Sequence, residues 1–495
     1  MAVMLALLAC SALGAPGPAN NPLALEMVRH ALRARGPQLK ATRVVGKWIK
    51  NGVREDYTFE FLPDGRYVES LKGRFREASG FDGKIYWMQD RSGLVQKLDF
   101  EDRDDQTALG LLLSDNWILR GHRKFAVNGD KIEMPLGDFG QVLEVKVDKI
   151  THLPIQAVFS NRVEPMVFKL SDWKTAGDRR IPMHVEVDSD ESMVLEGRSV
   201  VPARMRDIHT AAPSSRLNDT SFDPNHSTGV ECQFLGRSHL RVHALINGKD
   251  VGWFILDSGS AVMIIDKAIA DELHLDKVSK GTGIGVGGTV ESSGRTVRKF
   301  ELGPLTIRNL TFGDFDMSQI VGKSNPHIAG VIGTNFFRRA VVELDWKGPH
   351  VRAFDRRTYK LAKGAWQTLR FSGGNPVALA QVAGTPKAWY RLDSGGAGFL
   401  TLHAPFVSKW KLLEHRQTTE AKANGVGGSV SIRSGNVDWL DFGGHRFQEP
   451  KVGFATNLKG TLSDPYMAGN IGIEVLRHFK IVFDYAGGRV AFVPL

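Results

Sequence analysis

Apolar and polar residues alternate through most of this chain, and the dominant period is two. Tyr57, Phe59 and Phe61 alternate, Pro63-Asp64-Gly65 supplies a turn, and Tyr67 resumes the alternation. That is the pattern of a half-buried hairpin. Leu143, Val145 and Val147 form a second such run, and Met183, Val185 and Val187 a third. A helical period precedes them over residues 21–36, where Leu25, Val28 and Leu32 share a face. Asn21 can cap this helix, Pro22 suits its first turn, and Gly36 can end it. A helix followed by many antiparallel strands predicts an α+β domain on a curved antiparallel sheet over residues 20–201. Residues 202–230 carry clusters of Pro, Ser and Asn and read as a linker.

Beyond the linker, two apolar runs end in the same tripeptide. WFILDSGSAVMII holds Asp257-Ser258-Gly259, and WYRLDSGGAGFLTL holds Asp393-Ser394-Gly395, an offset of 136 (393 − 257). Gly248 and Gly384 each lie nine residues before the acid. A Gly-rich hairpin follows each acid, Gly285-Val286-Gly287-Gly288 and then Gly425-Val426-Gly427-Gly428. Later come Val331-Ile332-Gly333 and Asn470-Ile471-Gly472, and runs ending at Asp345 and Asp484. Such ordered recurrence marks an internal duplication, with halves at 231–360 and 361–495. Each half can bring one carboxylate to a shared centre. Two carboxylates held together do not both ionise readily, so one keeps its proton and the pair can act as acid and base.

At 495 residues the chain is long enough for two to four domains. Its 42% hydrophobic and 24% charged residues are those of a globular protein, and 53 glycines lean the balance towards β structure. The formal charge of +10 is spread along the chain, so it argues for a solvated surface and against nucleic-acid binding. The N-terminal MAVMLALLACSALGAPG predicts an export signal over 1–19, cleaved near Ala12-Leu13-Gly14, and thus a periplasmic or secreted protein. No Lys or Arg precedes that apolar run. Leu7-Leu8-Ala9-Cys10 is similar to a lipoprotein box, which would make Cys10 a lipid anchor; in the plainer reading Cys10 leaves with the signal. Cys232 is then the remaining cysteine, which excludes an intramolecular disulfide or a zinc site of paired cysteines. It is expected as a buried thiol.

No later run is long enough to cross a bilayer as a helix. The 15 histidines contain no His-Glu-x-x-His pair, and neither a metal nor a cofactor is expected. Gly283 to Gly288 satisfies a dinucleotide-loop pattern, but TVESSGRTVRKFEL after it alternates like a hairpin, with Ser293-Gly294-Arg295 read as its turn. The helix that pattern requires is missing. Leu256 stands two positions before Ser258, so no nucleophile elbow is present either. Trp253 and Trp389 are expected to be packing residues.

Two resemblances follow from these motifs. EFLPDGRY, GFDGKIYWMQD and VDKITHLPIQAVF make residues 40–200 resemble the lipoprotein-carrier type of β domain. Residues 231–495 resemble two retropepsin-like aspartic peptidase lobes in tandem, since each half has the apolar strand into Asp-Ser-Gly, the Gly-rich hairpin and the apolar-Gly segment. The resemblance implies a mainly β fold with Asp257 and Asp393 side by side as catalytic acids. It implies that Ser258 and Ser394 brace the two loops, and that Gly259 and Gly395 let backbone amides approach. The hairpins near 283–291 and 423–431 would be flaps. Gly396 and Asn470 depart from the family pattern, both in the second half. The expected protein is an exported aspartic endopeptidase that acts on polypeptides and is active as a monomer. Its rivals are a non-catalytic peptide- or lipoprotein-binding protein and an enzyme that cuts its own linker.

Overall fold

The computed structural model describes residues 22–36, 40–50, 52–73, 76–114, 125–160, 165–176, 179–188, 193–321, 328–457 and 460–495. The expected export signal and Cys10 lie outside them. The protein is mainly β, with large antiparallel sheets. It divides into two compact units, Met1–Trp87 with Arg103–Ala212, and Met88–Asp102 with Pro213–Leu495.

The first unit is a long antiparallel sheet. Its strand Thr42–Lys50 pairs on one side with Val53–Phe61 and on the other with Met193–Pro202, so the start and end of the segment are neighbours. From there the pairing runs back along the chain through Arg179–Asp188, Met166–Ala176, Pro154–Phe159, Gln141–Val147 and Lys131–Leu136. The period-two residues do what alternation demands of them. Tyr57, Phe59, Phe61, Leu143, Val145, Val147, Val185 and Val187 are buried in one core, and Met183 packs at its edge. The helix Pro22–Arg35 adds Val28 and Ala31 to that core. Residues Ala108, Leu111 and Leu112 of the helix Phe100–Ser114 enter it as well.

The second unit repeats one arrangement. Lys249–Leu256 runs parallel to Ile328–Ile332, and Ala388–Leu392 runs parallel to Gly469–Ile471. Ile264–Asp266 lies antiparallel to the first of these partners, and Leu400–Leu402 to the second. Phe254, Leu256, Tyr390 and Leu392 alternate into a single core that spans both halves. A six-stranded sheet joins them, built from Gly229–Val230, His350–Phe354 and Val341–Asp345 of one half and Phe479–Asp484, Arg489–Pro494 and Gln367–Thr368 of the other. Val342, Glu343 and Leu344 there face Phe483, Val482 and Ile481.

Two local expectations need correction. Ser293-Gly294-Arg295 is no turn, because Gly288–Leu302 is one unbroken strand. Gly294 fits mid-strand because it faces Ser279 and Gly313 across the sheet, and a Cβ there would come within 2.3 Å of the Ser279 hydroxyl. Chain reversal falls instead at Gly303, whose φ of +56° suits glycine. Cys232 is partly exposed rather than fully buried, with its thiol donating to the Pro349 carbonyl. The 202–230 segment also holds paired strands. Thr220–Phe222 pairs with Leu305–Phe315, and Gly229–Val230 with His350–Phe354.

Candidate active site

Both acid loops sit at the ends of their buried strands, held by the same backbone bond. The Asp257 amide donates to the Ile332 carbonyl and the Asp393 amide to the Ile471 carbonyl, each at 2.9 Å. The apolar-Gly segments therefore act as anchors for the loops. Gly333 and Gly472 let the chain pass close by: a Cβ at Gly333 would lie 2.4 Å from the Ser260 carbonyl, and one at Gly472 would lie 2.2 Å from the Gly398 carbonyl.

The two serines cross between the loops. The Ser258 hydroxyl donates to the Leu392 carbonyl at 2.9 Å and accepts from the Ser394 amide at 3.1 Å. The Ser394 hydroxyl donates to the Leu256 carbonyl at 3.1 Å and accepts from the Ser258 amide at 2.9 Å. Four buried hydrogen bonds thus fix the two loops reciprocally, and losing one partner would leave a buried polar group unsatisfied.

The glycines bring the acids to the opposite loop. Asp257 Oδ1 accepts from the Gly259 amide at 2.7 Å and from the Gly395 amide at 3.1 Å. A Cβ on Gly395 would sit 2.4 Å from Asp257 Oδ2, and one on Gly259 would sit 2.8 Å from Asp393 Oδ1. Burial, with the Asp393 charge beside it, pushes the Asp257 carboxyl up to about 7. Burial also raises Asp393, opposed by the Arg391 guanidinium and by the amides of Gly396 and Gly395. The pair titrates as one system. Gly396 now has a reason, since a Cβ there would lie 2.9 Å from Asp393 Oδ2.

The Gly-rich hairpins are Lys277–Gly285 with Gly288–Leu302, and Thr419–Gly425 with Gly428–Asn436. Their tips meet, with the Gly287 amide donating to the Val426 carbonyl at 3.0 Å. Gly285 and Gly287 approach Val426 and Gly427 so closely that a Cβ on either would meet backbone within 2.3 Å. Val426 packs on the cluster of Ile255, Phe315, Met317, Ile328 and Val331 in the first half. Val286 packs on Ala404, Ile432, Ala455 and Leu462 in the second. Each tip thus docks on the other half.

Residues 242–336 match the family model Asp_protease_2, described as aspartyl protease. The chain carries an aspartyl protease domain. The matched stretch of this domain includes Asp257-Ser258-Gly259, the first Gly-rich hairpin and Val331-Ile332-Gly333. None of the curated proteins matches the chain. Among solved structures, a LolA superfamily protein from Nitrosomonas europaea is 15% identical, with a TM-score of 0.27 over 37% of this chain and 95% of its own. Basic 7S globulin from soybean is 10% identical, with a TM-score of 0.32 over 54% of this chain and 96% of its own. Conglutin gamma from lupine seeds is 10% identical, with a TM-score of 0.31 over 54% of this chain and 95% of its own.

Four residues around the two acid loops escaped the sequence reading. Tyr485 is buried, and its hydroxyl donates to the Ser258 carbonyl at 3.2 Å. His239 Nε2 lies 3.1 Å from the Gly395 carbonyl. No local pattern distinguishes either residue. Arg391 and His403 belong to one polar group with Asp464 and Asn470. The Arg391 Nη2 lies 3.3 Å from Asp464 Oδ2, and His403 Nε2 lies 2.9 Å from Asn470 Oδ1. Asn470, odd in sequence, is thus the hydrogen-bond partner of a fully buried histidine. Arg391 was legible in principle, because the 136-residue offset sets it against Ile255 (391 − 136). Among the described residues no cluster of His, Cys, Asp or Glu could hold a metal ion, and no helix is long and apolar enough to cross a membrane. Trp253 and Trp389 are partly buried packing residues, the latter edge-on to Phe100.

Proposed function

We propose that the chain is an aspartic endopeptidase of two retropepsin-like lobes in tandem. In this reading it hydrolyses peptide bonds with water activated between Asp257 and Asp393. The observation that carries it is reciprocal: Asp257 accepts amides from both loops, and each loop's glycine lies against the other loop's carboxylate. A pair so close keeps one proton in the neutral-to-acid range, since burial and the second charge both disfavour the doubly ionised form. The ionised member takes a proton from water while the protonated member polarises the scissile carbonyl. The Gly-rich hairpins serve as flaps over an extended polypeptide, and one chain supplies both acids, so a monomer suffices.

The test is digestion of a denatured protein mixture from about pH 3 to 7, with and without a statine-type inhibitor. Asp257→Asn and Asp393→Asn are each expected to lower cleavage by about 10²–10⁴-fold or more. Retention of inhibitor-sensitive cleavage in both variants would sink the dyad. No cleavage by the native chain at any pH would favour the peptide- or lipoprotein-binding alternative.

A further inference from the structure

The crossed serines are one of two braces between the acid loops. The other is made by side chains that reach over from the opposite half. Tyr485, in the second half, donates its hydroxyl to the Ser258 carbonyl of the first loop at 3.2 Å. His239, in the first half, lies with Nε2 at 3.1 Å from the Gly395 carbonyl of the second loop. A carbonyl oxygen only accepts, so the imidazole donates through Nε2–H, which it can do neutral or protonated. Each loop is therefore held at a carbonyl by a donor from the other half.

The fold presents both donors firmly. Ile481, Phe483 and Tyr485 alternate into the core. The Tyr485 ring is stacked on Phe337 and tilted against Phe371, each with centroids 5.1 Å apart. A phenylalanine would fill that space equally well, so what the tyrosine adds is its hydroxyl. Burial, with the Asp257 charge beside it, pushes the phenol well above its ordinary value, against the pull of Arg338. The hydroxyl accordingly keeps its proton and stays a donor. In the first half Trp346 follows Asp345 as Tyr485 follows Asp484. Its Nε1 donates to the Ser238 carbonyl at 3.0 Å, beside His239. The duplicated aromatic thus serves the opposite loop directly in one half, and through the neighbouring histidine in the other.

The pinned carbonyls belong to peptide groups that serve the acids. The Ser258 carbonyl and the Gly259 amide form one such group, and that amide donates to Asp257 Oδ1 at 2.7 Å. The Gly395 carbonyl shares its group with the Gly396 amide, which favours the charged form of Asp393. A donor on the carbonyl fixes the plane of the group and polarises it, strengthening the amide at its far end by about 10–30%. We propose that Tyr485 and His239 are positioning residues, which through these two peptide groups aim the amides that hold Asp257 and Asp393. This rests on the peptidase reading and deepens it by naming what keeps the two carboxylates in place. Neither residue touches the substrate; each sets where an acid stands and how well it carries its charge.

The test uses the full chain with Tyr485→Phe, which keeps the stacked ring and removes one hydroxyl, and with His239→Gln and His239→Leu. It reads kcat and KM on a peptide substrate, the pH profile of kcat, and the ¹³C-carboxyl titrations of Asp257 and Asp393. Tyr485→Phe is expected to lower kcat about tenfold with KM unchanged, less than the ~10²-fold that a full 1 Å misplacement costs. The acid limb should rise by roughly a few tenths of a pH unit, because a weaker amide favours the carboxylate less. His239→Gln carries an N–H donor without a charge and should keep most of the native kcat, whereas His239→Leu should lose as much as Tyr485→Phe. If Tyr485→Phe fails to fold, the two His239 variants decide the question. A native kcat with unmoved carboxyl titrations in Tyr485→Phe, even beside a lower urea midpoint, would overturn the assignment. So would a glutamine variant as slow as the leucine one. Absence of cleavage by the native chain would overturn the peptidase reading alone, because the carboxyl titrations still report what the two donors do.

Discussion

Two carboxylates and two glycines set the tolerance of this site. Gly395 leaves no room for a methyl group, since a Cβ would fall 2.4 Å from Asp257 Oδ2. Gly395→Ala is therefore expected to move the Asp257 carboxyl and cost about 1–3 kcal/mol of local strain, seen as roughly a 10–100-fold fall in kcat/KM. Unchanged kinetics in that variant would mean the carboxyl is free to step aside. The buried Asp257 carboxyl also carries a stability cost whose sign is fixed. Native Asp257 keeps its proton up to about 7, while an unfolded aspartate loses it near its ordinary value of 3.8. Between those limits the native state binds more protons, so stability falls as pH rises through the window. Asp257→Asn lacks this titration. Near pH 7 it should be more stable than the native chain by about 1–3 kcal/mol, with the gap closing below about pH 4. Urea midpoints across that range check it, and a gap that widens towards low pH would reverse the argument.

Among the elements, the hairpins were the most legible, because Gly-rich turns between alternating runs are written locally. Their docking was not. Val286 and Val426 read as bare turn residues, yet each packs on an apolar cluster of the opposite half. Truncating both to alanine removes about 1 kcal/mol of burial at each tip. Faster hydrogen exchange is then expected over residues 283–291 and 423–431, together with a raised KM. Exchange no faster than in the native chain would show that the tips do not hold the hairpins down. The Ser293-Gly294-Arg295 turn was misread for a similar reason. A glycine flanked by polar residues signals reversal in sequence, but here it is a mid-strand residue beside Ser279. What the neighbouring strand needed outweighed the local preference.

For the whole molecule the unexpected fact is the membership of Met88–Asp102, which groups with Pro213–Leu495 and not with the residues on either side of it. Phe100 packs with Val377, Tyr466 and Met467, and the Asp102 carboxylate accepts the Gly373 amide at 3.1 Å. The Arg216 amide donates to the Gly93 carbonyl at 3.0 Å. A single cut within 202–230 therefore leaves this stretch bonded at both ends to the N-terminal residues and packed in the second unit. Chain nicked there should elute at the size of the intact protein under native conditions and separate only in denaturant. Release of a free N-terminal fragment on nicking would contradict that packing.

The amino-acid sequence alone determined the duplication, the two acids, the hairpins and the period-two strands. Each of these is a pattern confined to a short window or repeated at a constant offset. Only the tertiary structure decided what lies against what. The Gly395 amide on Asp257 spans 138 residues, and the sheet joining the halves pairs Leu344 with Ile481. Packing of that kind follows from shape and burial summed over the whole chain, and no local window records it. Arg391 lies between the two: its departure from Ile255 is visible on aligning the halves, but its ion pair with Asp464 exists only once the folded core brings the two side chains together.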